Sequence, residues 1–295
     1  MSTASKQASS LPGVDREAFR RRGYTIVEQL FGAEEVEQLR EVVLDTLAEY
    51  ERDGRAGTDP GREGTIRGVD GDLLSIPSLR HVLLDPRLLR VVRELLGGSP
   101  DYFGDSSVRV GRNGARGWHR DNVNRRRWRG GPDWHDPYPL LRCGVYMQDQ
   151  ARFSGGLALR PGSNRPRRRL PTLGRLVRAQ AGDLVVWDLR TVHSGEVVRM
   201  RGLPRLALHP RLQTLLPDVL RVREERERVV MFMTFALPGE HLDNYVAYLQ
   251  TRDYMRAAWA RARVAPEVWA QAESAGLNVL RSIPEYSALS DRPEA

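Results

Sequence analysis

His119-Arg120-Asp121, with His193 far downstream, is the set of residues in this chain best suited to chemistry. Two imidazoles and one carboxylate on one side of a cation leave its opposite side open. That arrangement suits non-haem Fe(II), which needs free positions for a co-substrate and for O2. In His-x-Asp the two ligands stand at i and i+2, so on a strand both side chains point to one face. The third ligand must then come from a different strand. The triplet alone is a weak signal, because a chain with six histidines can contain it in an ordinary surface turn.

The surrounding elements strengthen it. Ser106-Ser107-Val108-Arg109-Val110 reads as a strand, and residues 111–117 as a glycine-rich polar turn. Trp118-His119-Arg120-Asp121 then leads into the next strand. Further on, Ala181-Gly182-Asp183 is a turn and Leu184-Val185-Val186-Trp187 a buried-strand run. Thr191-Val192-His193-Ser194-Gly195 opens another strand, so His193 can face the first pair across a barrel.

Several ordered motifs resemble the phytanoyl-CoA dioxygenase family of Fe(II)/2-oxoglutarate oxygenases over residues 19–235. Phe19-Arg20-Arg21-Arg22-Gly23-Tyr24-Thr25-Ile26-Val27 is similar to the family's opening strand. Phe31-Gly32-Ala33-Glu34-Glu35-Val36 resembles the start of its first long helix, and the stretch from Asp85-Pro86-Arg87-Leu88-Leu89 to Gly97 a second. Gly155-Gly156-Leu157-Ala158-Leu159-Arg160-Pro161-Gly162-Ser163-Asn164 is the most specific segment, although the family usually ends it in His where this chain has Asn164. Ala181-Gly182-Asp183-Leu184 through His193-Ser194-Gly195 completes the set.

The resemblance implies Fe(II) held by His119, Asp121 and His193, with 2-oxoglutarate and O2 as co-substrates. It implies oxidation, in the first place hydroxylation, of an unactivated C–H of a small molecule. Related halogenases lack the carboxylate, so Asp121 favours hydroxylation or another oxidation such as desaturation or ring formation. The family places an arginine for the distal carboxylate of 2-oxoglutarate at the start of the last core strand; a guanidinium fork suits that group. Two residues compete for the role. Arg205 lies near the usual spacing after His193, but His209-Pro210 follows and would end a central strand early. Arg228 opens Val229-Val230-Met231-Phe232-Met233-Thr234-Phe235, a better buried strand, at the expense of an insertion over residues 201–227. Arg228 is favoured. Asn122, Arg125, Arg199 and Arg201 are candidate substrate-binding residues.

The fold this implies is mainly β with α decoration: a double-stranded β-helix (jelly-roll) barrel with helices packed on one face. The chain order agrees. A short strand at residues 24–28 precedes a helix at 33–52, whose Val36, Leu39, Val42, Val43 and Leu47 recur at helical spacing. Residues 53–72 read as a long loop, and 88–96 as a helix ended by Gly97-Gly98. Residues 102–235 alternate strand and turn, and 238–263 read as helical. Residues 1–13 read as a flexible tail ahead of one oxygenase domain over 14–295, with its core barrel at about 100–236 and a C-terminal helical region at about 238–285.

A chain of 295 residues suits one large domain. Cys143 is the only cysteine, so no internal disulfide forms, which is compatible with a cytoplasmic location. No apolar run is long enough to span a bilayer. The net charge is +8, and Lys6 is the only lysine among 46 basic residues, a bias expected of a G+C-rich genome. Such a source, together with the resemblance, points to a specialised-metabolite intermediate as substrate, and the positive field is compatible with an anionic one. Arg125-Arg126-Arg127-Trp128-Arg129 and Arg165 with Arg167-Arg168-Arg169 are also patches that can bind phosphate and stack bases. Solvated loops in an arginine-biased chain account for them better, so nucleic acid is not the expected partner. A nucleic-acid oxygenase and a non-catalytic barrel are the competing readings; the intact triad disfavours the second. Residues 122–139, carrying Trp128, Trp134, His135 and Tyr138, follow the ligand pair directly and read as a lid. His81, His135, His209 and His241 are expected to be structural or exposed.

Overall fold

The computed structural model describes residues 14–54, 57–58, 67–111, 117–126, 129–165, 173–203, 207–213, 215–280 and 283. In chain order the elements are α1 (Arg16–Arg22), β1 (Tyr24–Val27), α2 (Ala33–Arg52), β2 (Gly57–Thr58), β3 (Arg67–Gly71), α3 (Arg80–Leu83), α4 (Pro86–Leu96), β4 (Asp101–Tyr102), β5 (Ser106–Val110) and β6 (Leu140–Tyr146). They continue with β7 (Gly156–Leu159), β8 (Arg175–Leu176), β9 (Leu184–Asp188), β10 (His193–Val197), α5 (Pro210–Gln213), β11 (Val229–Ala236), α6 (Glu240–Gln250), α7 (Asp253–Arg261), α8 (Pro266–Ser274) and β12 (Asn278–Val279).

Local chemistry sets the helix ends. Asp15 caps α1 by accepting from the Ala18 amide at 2.7 Å, and Gly23 ends it in the left-handed region at φ 81°. A side chain on Gly23 would also strike Thr191 and Asn164, so this turn is pressed against the residues just before His193. In α4, Asp85 caps, Pro86 fills the first turn where no amide donor is needed, and Gly97 closes it at φ 83°.

The strands form a large sheet in the order β1-β9-β6-β11-β5-β3-β2, with β4 beside β11 and β12 beside β4. A smaller sheet runs β10-β7-β8. Alternation along the central strands separates two apolar clusters. Tyr146 of β6, Val185 and Trp187 of β9, and Val230 and Phe232 of β11 face the small sheet, where Leu157 and Leu159 meet them. Leu141, Cys143 and Val145 of β6 and Val229, Met231, Met233 and Phe235 of β11 face the other way, against α2, α4 and the C-terminal helices. Both faces of the large sheet are therefore buried, which explains why β9 and β11 read as almost continuous apolar runs. The result is the expected β-rich jelly-roll with helices on one face. Cys143 is buried on the helix side, and burial pushes its thiol far up, as suits an inert core residue.

Three expectations need correction. Residues 53–72 are not wholly loop, because β2 and β3 extend the large sheet beyond β5. Their sequence lacks an apolar alternation; β3 exists because it pairs with β5, and Gly68 permits it, since a Cβ there would lie 2.4 Å from the Val108 carbonyl. The strand expected at the ligand pair is reduced to a single bridge between His119 and His193; the strand expected at 24–28 forms as β1 and pairs with β9, and β12 pairs in parallel with β4. The helical stretch at 238–263 is divided between α6 and α7 at Thr251 and Arg252. Among the described residues no helix is long and apolar enough to cross a membrane.

Trp259 of α7 is fully buried, and its Nε1 donates to the Phe103 carbonyl at 3.0 Å, tying the C-terminal helices to the sheet. Trp259→Ala is expected to lower the unfolding free energy by about 3–5 kcal/mol, measured by urea denaturation. A loss below about 1 kcal/mol would show that this region contributes little to the folded core.

Candidate metal centre

The two histidines are brought together by the backbone. The His119 amide donates to the His193 carbonyl at 3.0 Å, and the His193 amide donates back to His119 at 2.9 Å. This reciprocal pair adds residue 119 to the edge of β10 and stands the two rings 4.2 Å apart. Two residues later, the Asp121 amide donates to the Leu189 carbonyl at 3.0 Å, which fixes the carboxylate on the same side. Each ring is held from behind. His119 Nδ1 lies 2.9 Å from the Gly117 carbonyl and His193 Nδ1 3.0 Å from the Thr191 carbonyl. A carbonyl can only accept, so the proton is assigned to Nδ1 and each Nε2 lone pair is left for a metal. Those Nε2 atoms lie 3.8 Å and 3.5 Å from the two Asp121 oxygens. One ligand atom from each of the three residues lies within 4.8 Å of the others, and this is the only such metal-ligating group among the described residues.

Electrostatics favour the ligating protonation states. Burial pushes His193 down to about 4, against the opposing pull of Asp121, so its imidazole is neutral at pH 7. Burial opposes ionisation of Asp121, but Arg142 overcomes it, with His193 and His119 adding to the effect, and holds the carboxyl well below the usual range. Arg142 was not foreseen from the sequence. It projects from β6 with Nη1 3.2 Å from Asp121, Nη2 2.7 Å from Asp105 and Nε donating to the Thr234 hydroxyl at 2.9 Å. Tyr245 of α6 completes the network by donating to Asp105 at 3.1 Å. The available signal was an arginine set inside the apolar run Leu140-Leu141-Arg142-Cys143-Gly144-Val145-Tyr146, where a charge requires a partner.

Deeper in the barrel lies a group of buried donors. Arg228 immediately precedes β11, is 6 % exposed, and has Nη1 3.4 Å from Glu196 while its Nε has no hydrogen-bond partner. Its guanidinium stands 5.8 Å from the Tyr146 ring and 5.9 Å from that of Phe232. The Tyr146 hydroxyl and Trp187 Nε1 are likewise buried and unpartnered. Burial pushes the Tyr146 hydroxyl up to about 12, with Arg228 opposing. Trp187 links this group to the metal ligands, its ring 5.5 Å from that of His193 and 5.9 Å from that of Phe232. Gly144 makes the grouping possible, since a Cβ there would lie 3.0–3.3 Å from Tyr146, Trp187 and Phe232 together. Buried donors without acceptors are costly, and an anionic, acceptor-rich ligand lying among these three would satisfy them.

The remaining candidates are dispersed. Arg205 lies outside the described residues, as do Arg127, Trp128 and Arg167 to Arg169 of the basic clusters. Asn122 is fully buried next to Asp121; its Nδ2 donates to Asp133 at 2.9 Å and its Oδ1 has no partner. Arg125 donates to the Tyr248 hydroxyl at 2.7 Å and contributes to the field on Asp121. Arg199 is buried and donates to the Gln150 carbonyl, while Arg201 donates to the Arg221 carbonyl; these contacts hold the segment between β10 and β11, not the triad. Asp133 accepts from Asn122 and the Asn124 amide and Trp134 Nε1 donates to the Asn124 carbonyl, so these residues close on one another, while Arg190 after β9 donates to the Asp133 carbonyl and to Asp136. Asn164, in place of the histidine usual in the family, is structural, donating to the Arg20 carbonyl at 3.2 Å beside Gly23. His81, His135 and His209 are exposed.

Residues 19–206, more than half of the chain, match the family model for phytanoyl-CoA dioxygenase (PhyH), and the chain belongs to that family. The ectoine dioxygenase of Bordetella bronchiseptica is 31 % identical over 54 % of this chain and 52 % of its own length. That of Bordetella parapertussis is 30 % identical over the same shares, so the chain spans about half the length of the curated relatives it matches. Among solved structures, AviO1 from Streptomyces viridochromogenes Tue57 shares the fold with a TM-score of 0.52 at 18 % identity, over 76 % of this chain and 94 % of that one. EctD from S. alaskensis, solved with 2-oxoglutarate and 5-hydroxyectoine, does so with a TM-score of 0.51 at 18 % identity, over 79 % of each chain.

His193 supplies a pH test. Its depressed value means that the unfolded chain takes up a proton between about pH 6.5 and 4 while the folded chain does not. Stability contributed by the neutral ring is fully present above pH 6.5 and lost as pH falls through this window. Metal-free protein is expected to lose about 3 kcal/mol more between pH 7 and pH 4 than its His193→Gln variant, measured by denaturation at each pH. Equal losses would show that the ring titrates freely in the fold.

Proposed function

We propose that this chain is an Fe(II)/2-oxoglutarate-dependent dioxygenase that hydroxylates an unactivated C–H of a small molecule. The observation that carries this reading is the facing pair of imidazoles with Asp121, opening onto buried, unpartnered donors around Arg228. His119, Asp121 and His193 fit Fe(II) by donor type, by number and by the carbonyl bonds that fix both Nε2 atoms. Arg228, Tyr146 and Trp187 fit the acceptor groups of 2-oxoglutarate, and a guanidinium with a free edge fits its distal carboxylate. With these co-substrates and O2 bound, the site supplies oxidation: 2-oxoglutarate becomes succinate and CO2 as the substrate C–H becomes C–OH.

The chain's own residues position and exclude. Trp187 and Phe232 wall the space beside His193 with apolar surface, keeping bulk water away. Arg142 holds the Asp121 carboxylate in register by bridging it to Asp105. Asn122, next to Asp121, and Arg125, which donates to the Tyr248 hydroxyl, support a role in covering substrate for the residues that follow the ligand pair. Asp121 supports hydroxylation, since it keeps a carboxylate where a halide would otherwise bind. The relatives named for ectoine support a small-molecule substrate, and the arginine-biased composition supports a specialised-metabolite intermediate.

Protein reconstituted with Fe(II) and ascorbate under air is expected to convert 2-oxoglutarate to succinate. A pooled metabolite extract should stimulate turnover, and His119→Ala and Asp121→Ala should give none above background. Absence of succinate in every condition, with neither Fe(II) nor 2-oxoglutarate bound by calorimetry, would leave the barrel as a non-catalytic module.

A further inference from the structure

Glu196 is a buried carboxylate that the metal centre does not use. Its side chain is 8 % exposed, and its Oε1 lies 3.4 Å from Nη1 of the buried Arg228. A contact of this length is a weak hold on a guanidinium, whose strongest carboxylate partnership is a two-bond fork. Arg142 offers the contrast within the same barrel. Its contacts to Asp105 and Asp121 are 2.7 Å and 3.2 Å, and its Nε is taken by Thr234. Arg228 Nε is bare, and Gly195 leaves its Nη2 uncrowded, since even a Cβ at that position would be 4.0 Å away. The backbone bends to bring Glu196 there. Residue 196 sits at φ 57°, in the left-handed region, where the β10–β7 register is broken between Ser194 and Val197. That conformation is uncommon for a side chain of this kind.

We propose that Glu196 determines the specificity of the 2-oxo acid subsite, as a resident counter-ion that occupies Arg228 loosely until a dicarboxylate displaces it. The role rests on the reading of Arg228 given under Proposed function. A buried guanidinium without a counter-charge would capture any small anion able to reach it. With Glu196 in place, an incoming carboxylate competes with one already tethered to the chain. A monocarboxylate gains only the fork on Arg228. A 2-oxo dicarboxylate also chelates the metal at its other end, and that second attachment raises the local concentration of its distal carboxylate at Arg228. The exchange therefore selects ligands anchored at both ends. If Glu196 instead aligned Arg228 by sharing it, its removal would weaken binding, so the two roles differ in sign.

The test uses the full chain loaded with Ni(II), which binds without turning over, titrated with 2-oxoglutarate and with butyrate as a monocarboxylate probe. Calorimetry gives the affinities and thermal denaturation the stability. The expected result is that Glu196→Gln melts lower than wild type without ligand, binds 2-oxoglutarate about tenfold tighter, and gains a butyrate-induced stabilisation that wild type lacks. Glu196→Gly, which suits the left-handed backbone, should behave alike if the Gln variant fails to fold. Equal or weaker 2-oxoglutarate binding in the variants, with wild type binding normally and Arg228→Gln impaired, overturns the role of Glu196 and leaves the proposed function standing. Undiminished binding in Arg228→Gln, or none in wild type, overturns the reading of Arg228 and this role with it.

Discussion

The site depends on one pair of backbone hydrogen bonds, exchanged between His119 and His193 at 3.0 Å and 2.9 Å. These bonds place two imidazoles side by side, His119 as a single bridge residue at the edge of β10, and the bond from the Asp121 amide to the Leu189 carbonyl then sets the carboxylate beside them. Rings that carried their protons on Nε2 would point N–H groups at one another and at a metal. The carbonyls of Gly117 and Thr191 prevent this by accepting from Nδ1. The fold thus delivers three ligand atoms in one protonation state before any metal binds. Arg142 extends the same order outward, coupling Asp121 through Asp105 and Tyr245 to the helical layer.

A second constraint is steric. Three aromatic rings meet over Gly144, and the space that its missing side chain leaves is the reason Tyr146, Trp187 and Phe232 can stand together in one barrel. Their arrangement leaves the Tyr146 hydroxyl, Trp187 Nε1 and Arg228 Nε buried with no acceptor. In a domain built only for stability such groups would be paired or replaced by apolar ones. An acceptor-rich ligand placed among these three groups would recover the stability they forgo, and Trp187 stands between them and the metal ligand His193.

What the sequence revealed follows the range of the forces involved. His119 and Asp121 were legible as a short-range pair of ligand types, although one bridge residue and not a strand holds them, and His193 because a turn and a buried run precede it. The position of Arg228 at the head of β11 was legible because a long apolar strand begins at Val229. Arg142, Tyr146, Trp187 and Glu196 were hidden in apolar or mixed runs, where they read as core or surface. Their roles come from register across strands far apart in the chain: Val230 lies opposite Tyr146, Phe232 opposite Gly144, and Thr234 opposite Arg142. The strand at residues 67–71 was hidden for a related reason, since it owes its form to pairing with β5 and not to its own pattern. Arg199 and Arg201 read as substrate-binding candidates, but they donate to carbonyls of the neighbouring loops.

The central claim is that His119, Asp121, His193 and the donors around Arg228 form one site that takes a metal and a 2-oxo acid together. Its most direct test is anaerobic titration of the Fe(II)-loaded chain with 2-oxoglutarate, following the visible charge-transfer absorption that a 2-oxo acid shows when chelated to Fe(II). The account predicts a saturable band at one equivalent per chain, absent in His193→Ala and requiring far more 2-oxoglutarate in Arg228→Gln. Binding of both ligands without that band, or an unaltered band in both variants, would contradict it.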